Sequence, residues 1–141
     1  MNEMKQLYIA LFLLMSALVT SCGNREAERI MDSAEDVMWT RPDSALTALE
    51  SIDTLALKTK SQRARYSLLY TMALDRNHLT IQDLRVIKPA ASYYENHGSN
   101  DDKMKMYFYL GTAQYDTGDP EAAITSYIRV KEYSSHSDNL V

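Results

Sequence analysis

Few residues in this chain could do chemistry. It has one cysteine, Cys22, and three histidines, His78, His97 and His136. A zinc centre needs three or four converging Cys, His or carboxylate ligands. The histidines fall in three separate turns or tails, where surface residues at helix ends are expected. Asp101-Asp102 opens a helical stretch and Asp75 closes another. Acids at these places are read as dipole complementarity or solvation rather than as a catalytic dyad. The chain lacks a Gly-rich phosphate loop and a Gly-x-Ser-x-Gly elbow. The expectation is a protein that is not an enzyme, with no metal and no diffusible cofactor.

That leaves the thiol of Cys22, and its context gives it a role. Lys5 precedes an apolar run from Leu7 to Thr20, the pattern of a secretory signal peptide. The run falls short of the roughly 20 apolar residues of a spanning helix, and it lacks the polar face of a core helix. A signal-anchor is the remaining alternative. Leu18-Val19-Thr20-Ser21-Cys22 resembles a bacterial lipobox, with an aliphatic residue, two small ones and then cysteine. The resemblance implies cleavage before Cys22 and acyl groups on it. At about 0.8 kcal/mol per buried methylene, two or three chains hold a protein on a bilayer. The expected organisation is a signal peptide over 1–21, a lipid-anchored tether over 22–24, a helical domain over 25–134 and a frayed tail over 135–141. The expected location is the bacterial cell envelope, on the outer membrane.

Residues 22–141 suffice for one compact domain. The net charge is −4, and without a Lys/Arg cluster the chain is a poor nucleic-acid binder. Acylation of Cys22 would leave no thiol for a disulfide. Four glycines and three prolines are few, which favours helices joined by short turns.

The apolar periodicity predicts six helices. The first runs from about Arg25 to Trp39 and the second from Pro42 to Ser51, opened by a Thr40/Asp43 capping box. Thr59-x-x-Gln62 opens a third that ends near Asp75. A fourth is expected from near Asp83 to Gly98, either starting later, near Arg85, or kinking at Pro89. Ser99-x-x-Asp102 opens a fifth that ends near Thr117. Gly118-Asp119-Pro120-Glu121 separates it from a sixth, which ends near Ser134. Short connections make sequential helices antiparallel, giving three helical hairpins.

A small residue followed four later by a larger one recurs as Ala45/Leu49, Ala90/Tyr94 and Ala123/Tyr127. Small residues let helices approach and large ones fill the next gap. Tyr107-x-x-Leu110-Gly111, followed by Gly118-Asp119-Pro120-Glu121-Ala122-Ala123-Ile124-x-x-Tyr127, resembles a tetratricopeptide repeat over Met104 to Tyr133. Tyr66-x-x-Leu69 fits the opening of another, with Tyr70 where that family has Gly. The resemblance implies an all-α fold in which three antiparallel hairpins stack as a short right-handed solenoid. It also implies a concave groove that binds a protein or peptide. The groove positions it implies are Lys105, Phe108, Thr112, Tyr115 and Asp116, with Ser67, Thr71 and Asp75 in the preceding hairpin. Of the ten tyrosines, most of the nine that follow the expected signal peptide are expected between helices. The layout, with Pro42-Asp43-Ser44-Ala45-Leu46 after the lipobox, resembles lipoproteins of gut Bacteroidetes. The leading expectation is a membrane-anchored scaffold for an envelope protein or peptide. The alternatives are a structural subunit of an envelope assembly, a homodimer formed through the last helix, a truncated remnant of a longer regulator, and a glycan binder.

Overall fold

The computed structural model describes the backbone of residues 2–135 and the side chains of residues 4–9 and 25–135. The expectations for the lipobox, the Cys22 thiol, His136 and the tail beyond Ser135 lie outside the described residues. Among the described residues the chain is all-helical, without strands. The helices are α1 (Asn2–Val37), α2 (Pro42–Glu50), α3 (Lys60–Arg76), α4 (Lys88–Tyr94), α5 (Asn100–Asp116) and α6 (Pro120–Ser134). Short 3-10 turns occupy Thr54–Ala56 and Leu84–Val86.

The starts of α3, α5 and α6 follow from side chains that satisfy first-turn N–H groups. Gln62 N–H donates to Thr59 Oγ1 at 3.1 Å, and Thr59 N–H returns a bond to Gln62 Oε1 at 3.2 Å. Ser99 and Asp102 form the same reciprocal box, at 3.2 and 2.9 Å. At α6, Asp119 Oδ1 accepts from Ala122 N–H at 3.0 Å, Pro120 occupies the first turn, and Gly118 takes a φ of +88°.

Two expected starts differ. Arg41 precedes α2 without a side-chain cap, and the Thr40 hydroxyl instead turns back to the Val37 carbonyl at 3.4 Å. The expected helix from Asp83 to Gly98 shrinks to α4. Proline is tolerated only in a first turn, so the helix waits until Lys88, placing Pro89 there. Asp83 caps the short turn before it, accepting from Arg85 N–H at 2.7 Å. The helical stretch expected to begin at Arg25 is the C-terminal part of α1.

The core runs the length of the domain. Met31 and Ala34 of α1, and Met38 in the turn after it, join Ala45 and Leu49 of α2 in the core. Leu68, Leu69, Met72 and Ala73 of α3 continue it toward Ile87, Ala90, Met106 and Tyr109. The helices pair as α1 with α2, α3 with α4 and α5 with α6. Each second helix also packs on the next first one, α2 on α3 and α4 on α5. The first helices pack on each other, α1 on α3 and α3 on α5. This last set of contacts lines up α1, α3 and α5 along one side of the molecule.

Candidate functional site

The aligned faces of α1, α3 and α5 enclose an open cavity of about 610 Å³. Its size lies within the roughly 300–1,000 Å³ of pockets that hold ligands. Leu68, Leu69 and Met72 of α3 and Phe108 and Tyr109 of α5 make it apolar. Trp39, the single tryptophan of the chain, stands on its rim with 62% of its surface exposed. The Arg76 guanidinium covers the indole at 4.3 Å from the ring centroid. Its Nε is buried and finds no hydrogen-bond partner among the described residues.

Arg65 holds the opposite wall. Its Nη1 reaches Glu28 Oε2 at 3.1 Å and Asp32 Oδ1 at 2.8 Å, and its Nη2 reaches Glu35 Oε2 at 2.8 Å. Burial disfavours this charge, but the bonds from Glu35 and Asp32 outweigh that cost and hold the guanidinium above its ordinary pKa. Gln62 Nε2 adds a bond to Glu28 Oε1 at 2.9 Å. Glu35, Asp102, Lys105 and Tyr94 complete the polar part of the lining. Burial and the nearby Asp102 carboxylate push the Tyr94 phenol up to about 12.

The candidate residues separate cleanly. Lys105 and Phe108 line the cavity. Thr112 sits one turn above Phe108, donating to its carbonyl at 3.3 Å and lying 3.4 Å from the Tyr127 hydroxyl. Tyr115 is exposed near the end of α5, outside the cavity lining. Asp116 is occupied, because its Oδ2 accepts from Ile81 N–H at 2.8 Å and ties the connection after α3 to α5. Asp75 is half-buried. Burial raises its pKa, Asp116 adds to the rise, and Arg76 and His78 offset part of it.

Ser67 and Thr71 do not line this cavity. Both are buried. The Ser67 hydroxyl donates to the Val86 carbonyl at 2.6 Å and accepts from Ala90 N–H at 3.3 Å, so it faces α4. Thr71, one turn later, donates to the Ser67 carbonyl at 2.7 Å. The α3 residues that line the cavity are Arg65, Leu68, Leu69 and Met72. The register is displaced by one residue. Thr71 and Ala73 of α3 are buried as Gly111 and Ala113 of α5 are, whereas the resemblance had put Tyr70 in the place of Gly111. The small stripe Ala64, Ser67, Thr71 was the available signal, since small residues mark the face where a partner helix comes close.

Compared with known proteins, the chain matches no family model, no curated protein and no solved structure.

Among the described residues, no three His, Cys, Asp or Glu side chains converge as a metal site would require. His97 lies on the Tyr93 ring at 4.5 Å, with Nδ1 2.9 Å from the Tyr93 carbonyl. His78 is exposed in a turn with φ +57°. Among the described residues, no helix is long and apolar enough to cross a membrane. What the arrangement offers is an apolar trough bordered by charged side chains.

Proposed function

We propose that this chain is a lipid-anchored scaffold of the bacterial envelope that holds a protein or peptide segment in the groove across α1, α3 and α5. The observation that carries the reading is the groove itself, with buried Leu68, Leu69, Met72 and Tyr109 at its floor and exposed Phe108 and Trp39 beside them. Phe108 lines it and remains 43% exposed, leaving an aromatic ring open to a partner. The order of packing supports a tetratricopeptide-like stack. First helix on second, second on next first, and first on first is the arrangement by which repeat hairpins build a solenoid. Gly111 supports it as well, since it admits the Tyr127 ring of the paired helix to the α5 backbone. Anchoring is assigned to Cys22 on the lipobox resemblance alone.

Two experiments test the two halves. Trp39 fluorescence reports on groove occupancy, so an apolar peptide should shift its emission, and Phe108→Ala should weaken that binding about ten-fold or more without loss of helicity. Peptide binding unchanged in Phe108→Ala would refute the groove. Cys22→Ser should release the chain from the membrane fraction; continued membrane association would refute lipid anchoring.

A second reading has one observation in its favour. Ile124 and Ile128, one turn apart on α6, are 60% and 56% exposed. Docking of that face onto an envelope assembly, or onto a second copy, would cover them. Light scattering decides between a strict monomer and self-association.

A further inference from the structure

The outward face of α6 carries a pattern that fits a copy of itself. Ala123 and Ser126 face inward and are buried, and Val130 on the same side lines the cavity. On the opposite side, Glu121, Ile124, Ile128 and Lys131 recur at three- and four-residue spacing and so form one stripe along the helix. All four are exposed, Ile124 and Ile128 by more than half of their surface. Arg129 and Glu132 beside the stripe pair with each other at 2.9 Å. Glu121 and Lys131 form no ion pair with any described residue.

The stripe reads alike in both directions, with its charges exchanged. Ile124 and Ile128 lie equally far from the level of Ser126, about 3 Å along the axis on either side. Glu121 and Lys131 also lie equally far from it, about 7.5 Å on either side. A two-fold axis at that level sets Ile124 against the partner's Ile128, and Glu121 against the partner's Lys131. Each contact then occurs twice, as an isologous interface requires. A parallel pairing would instead bring Glu121 to the partner's Glu121 and Lys131 to the partner's Lys131.

We propose that this chain pairs with a second copy through α6, antiparallel, with the isoleucines at the centre and two Glu121–Lys131 pairs at the ends. The inference rests on the reading of the α6 face as a docking surface, and it adds the partner, the direction and the register. Four residues a side, against roughly 20–30 in a stable complex, make this a weak pair. Confinement of both copies to one membrane would raise their effective concentration. The groove stays open in the dimer, because Val130 borders it from the other side of the helix.

The test uses the full chain in detergent, with sedimentation equilibrium reading self-association and circular dichroism checking the helicity of each variant. The unaltered chain should show a reversible monomer–dimer equilibrium, and Ile128→Ser should weaken it roughly ten-fold or more. Glu121→Lys alone and Lys131→Glu alone should each weaken it roughly ten-fold at low salt, because like charges then meet twice. An equal mixture of these two variants restores both opposite-charge pairs, so it should associate as the unaltered chain does, and less so at high salt. A strict monomer at every concentration overturns the proposal and leaves the α6 face to a different partner. Self-association untouched by Ile128→Ser overturns α6 as the contact surface. If Ile128→Ser weakens association but the mixture gains nothing over either charge variant, docking through α6 stands and the antiparallel pairing is overturned.

Discussion

Gly111 offers a sharp test of the close packing between α5 and α6. A Cβ built there would lie 2.7 Å from Tyr127 Cε1 and 3.0 Å from both Cδ1 and Cζ. Two effects then oppose each other in Gly111→Ala. Alanine is favoured over glycine in a helix interior by about 1 kcal/mol. Forcing an extra carbon into a filled contact costs about 1–3 kcal/mol. Tyr127 is partly exposed, so its ring can yield toward solvent, which keeps the cost toward the low end of that range. Yielding gives up the approach to Phe108, at 6.0 Å between centroids, and to the Thr112 hydroxyl. The net expectation is a loss of about 0–2 kcal/mol. The decisive measurement is a double-mutant cycle with Tyr127→Ala, read by urea unfolding with far-UV circular dichroism. Without the ring the clash is gone, so Gly111→Ala should become stabilising by about 1 kcal/mol. A coupling of about 1–3 kcal/mol is the expected signature of two side chains in contact. Equal stabilisation by Gly111→Ala in both backgrounds would show that the ring does not occupy that space, and the packing argument would fail.

Two further outcomes follow from polar groups inside the domain. Asp75→Asn should raise Tm at neutral pH and lose that gain in acid. Burial raises the Asp75 pKa in the folded state, so its contribution to stability is full below the unfolded carboxyl range and is lost as pH rises through the folded pKa. A Tm gain that persists unchanged in acid would refute this, as would a Tm loss at neutral pH. Ser67→Ala removes the partner of both the Val86 carbonyl and the Ala90 N–H. It should cost about 1–3 kcal/mol in urea unfolding and leave peptide affinity unchanged; weaker binding with intact stability would return Ser67 to the groove.

The helix starts were legible because capping is local chemistry. Thr59/Gln62, Ser99/Asp102 and Asp119 with Pro120 needed only their immediate neighbours to form the bonds the sequence implied. Thr40/Asp43 had the same spelling and failed, because the chain leaving α1 through a turn places Arg41 at the cap and draws Thr40 back to Val37. A capping motif states which bonds are possible, and the preceding helix end decides whether the residues reach them. Pro89 shows the same limit in reverse. Its ring forbids a helix interior, but only tertiary packing determines whether the helix kinks or begins later. With Ile87 and Ala90 buried in the core, a fresh start at Lys88 satisfies both demands.

The site was harder to read than the fold, for a geometric reason. Successive residues on a helix point about 100° apart, so an error of one position turns a groove residue into a packing residue. In α5, Gly111 pinned the register, because a residue without a side chain is strong information about where Tyr127 must sit. In α3 no glycine does this. Tyr66 and Tyr70 imitate the large-aromatic positions of a repeat, yet they stack on each other at 5.7 Å, half-buried to one side. The interhelical contact instead falls on Ser67 and Thr71, whose hydroxyls are as small as the approach requires and are satisfied by nearby backbone. Once that face is assigned, Arg65, Leu68 and Met72 must turn toward α1 and α5, and the three acids of α1 gain a reason for their spacing. Glu28, Asp32 and Glu35 recur every three or four residues along one face of α1, and one arginine from α3 meets all three. The charge cluster was therefore spelled in α1, but only the register of α3 shows that Arg65 meets it and that Glu35 borders the cavity.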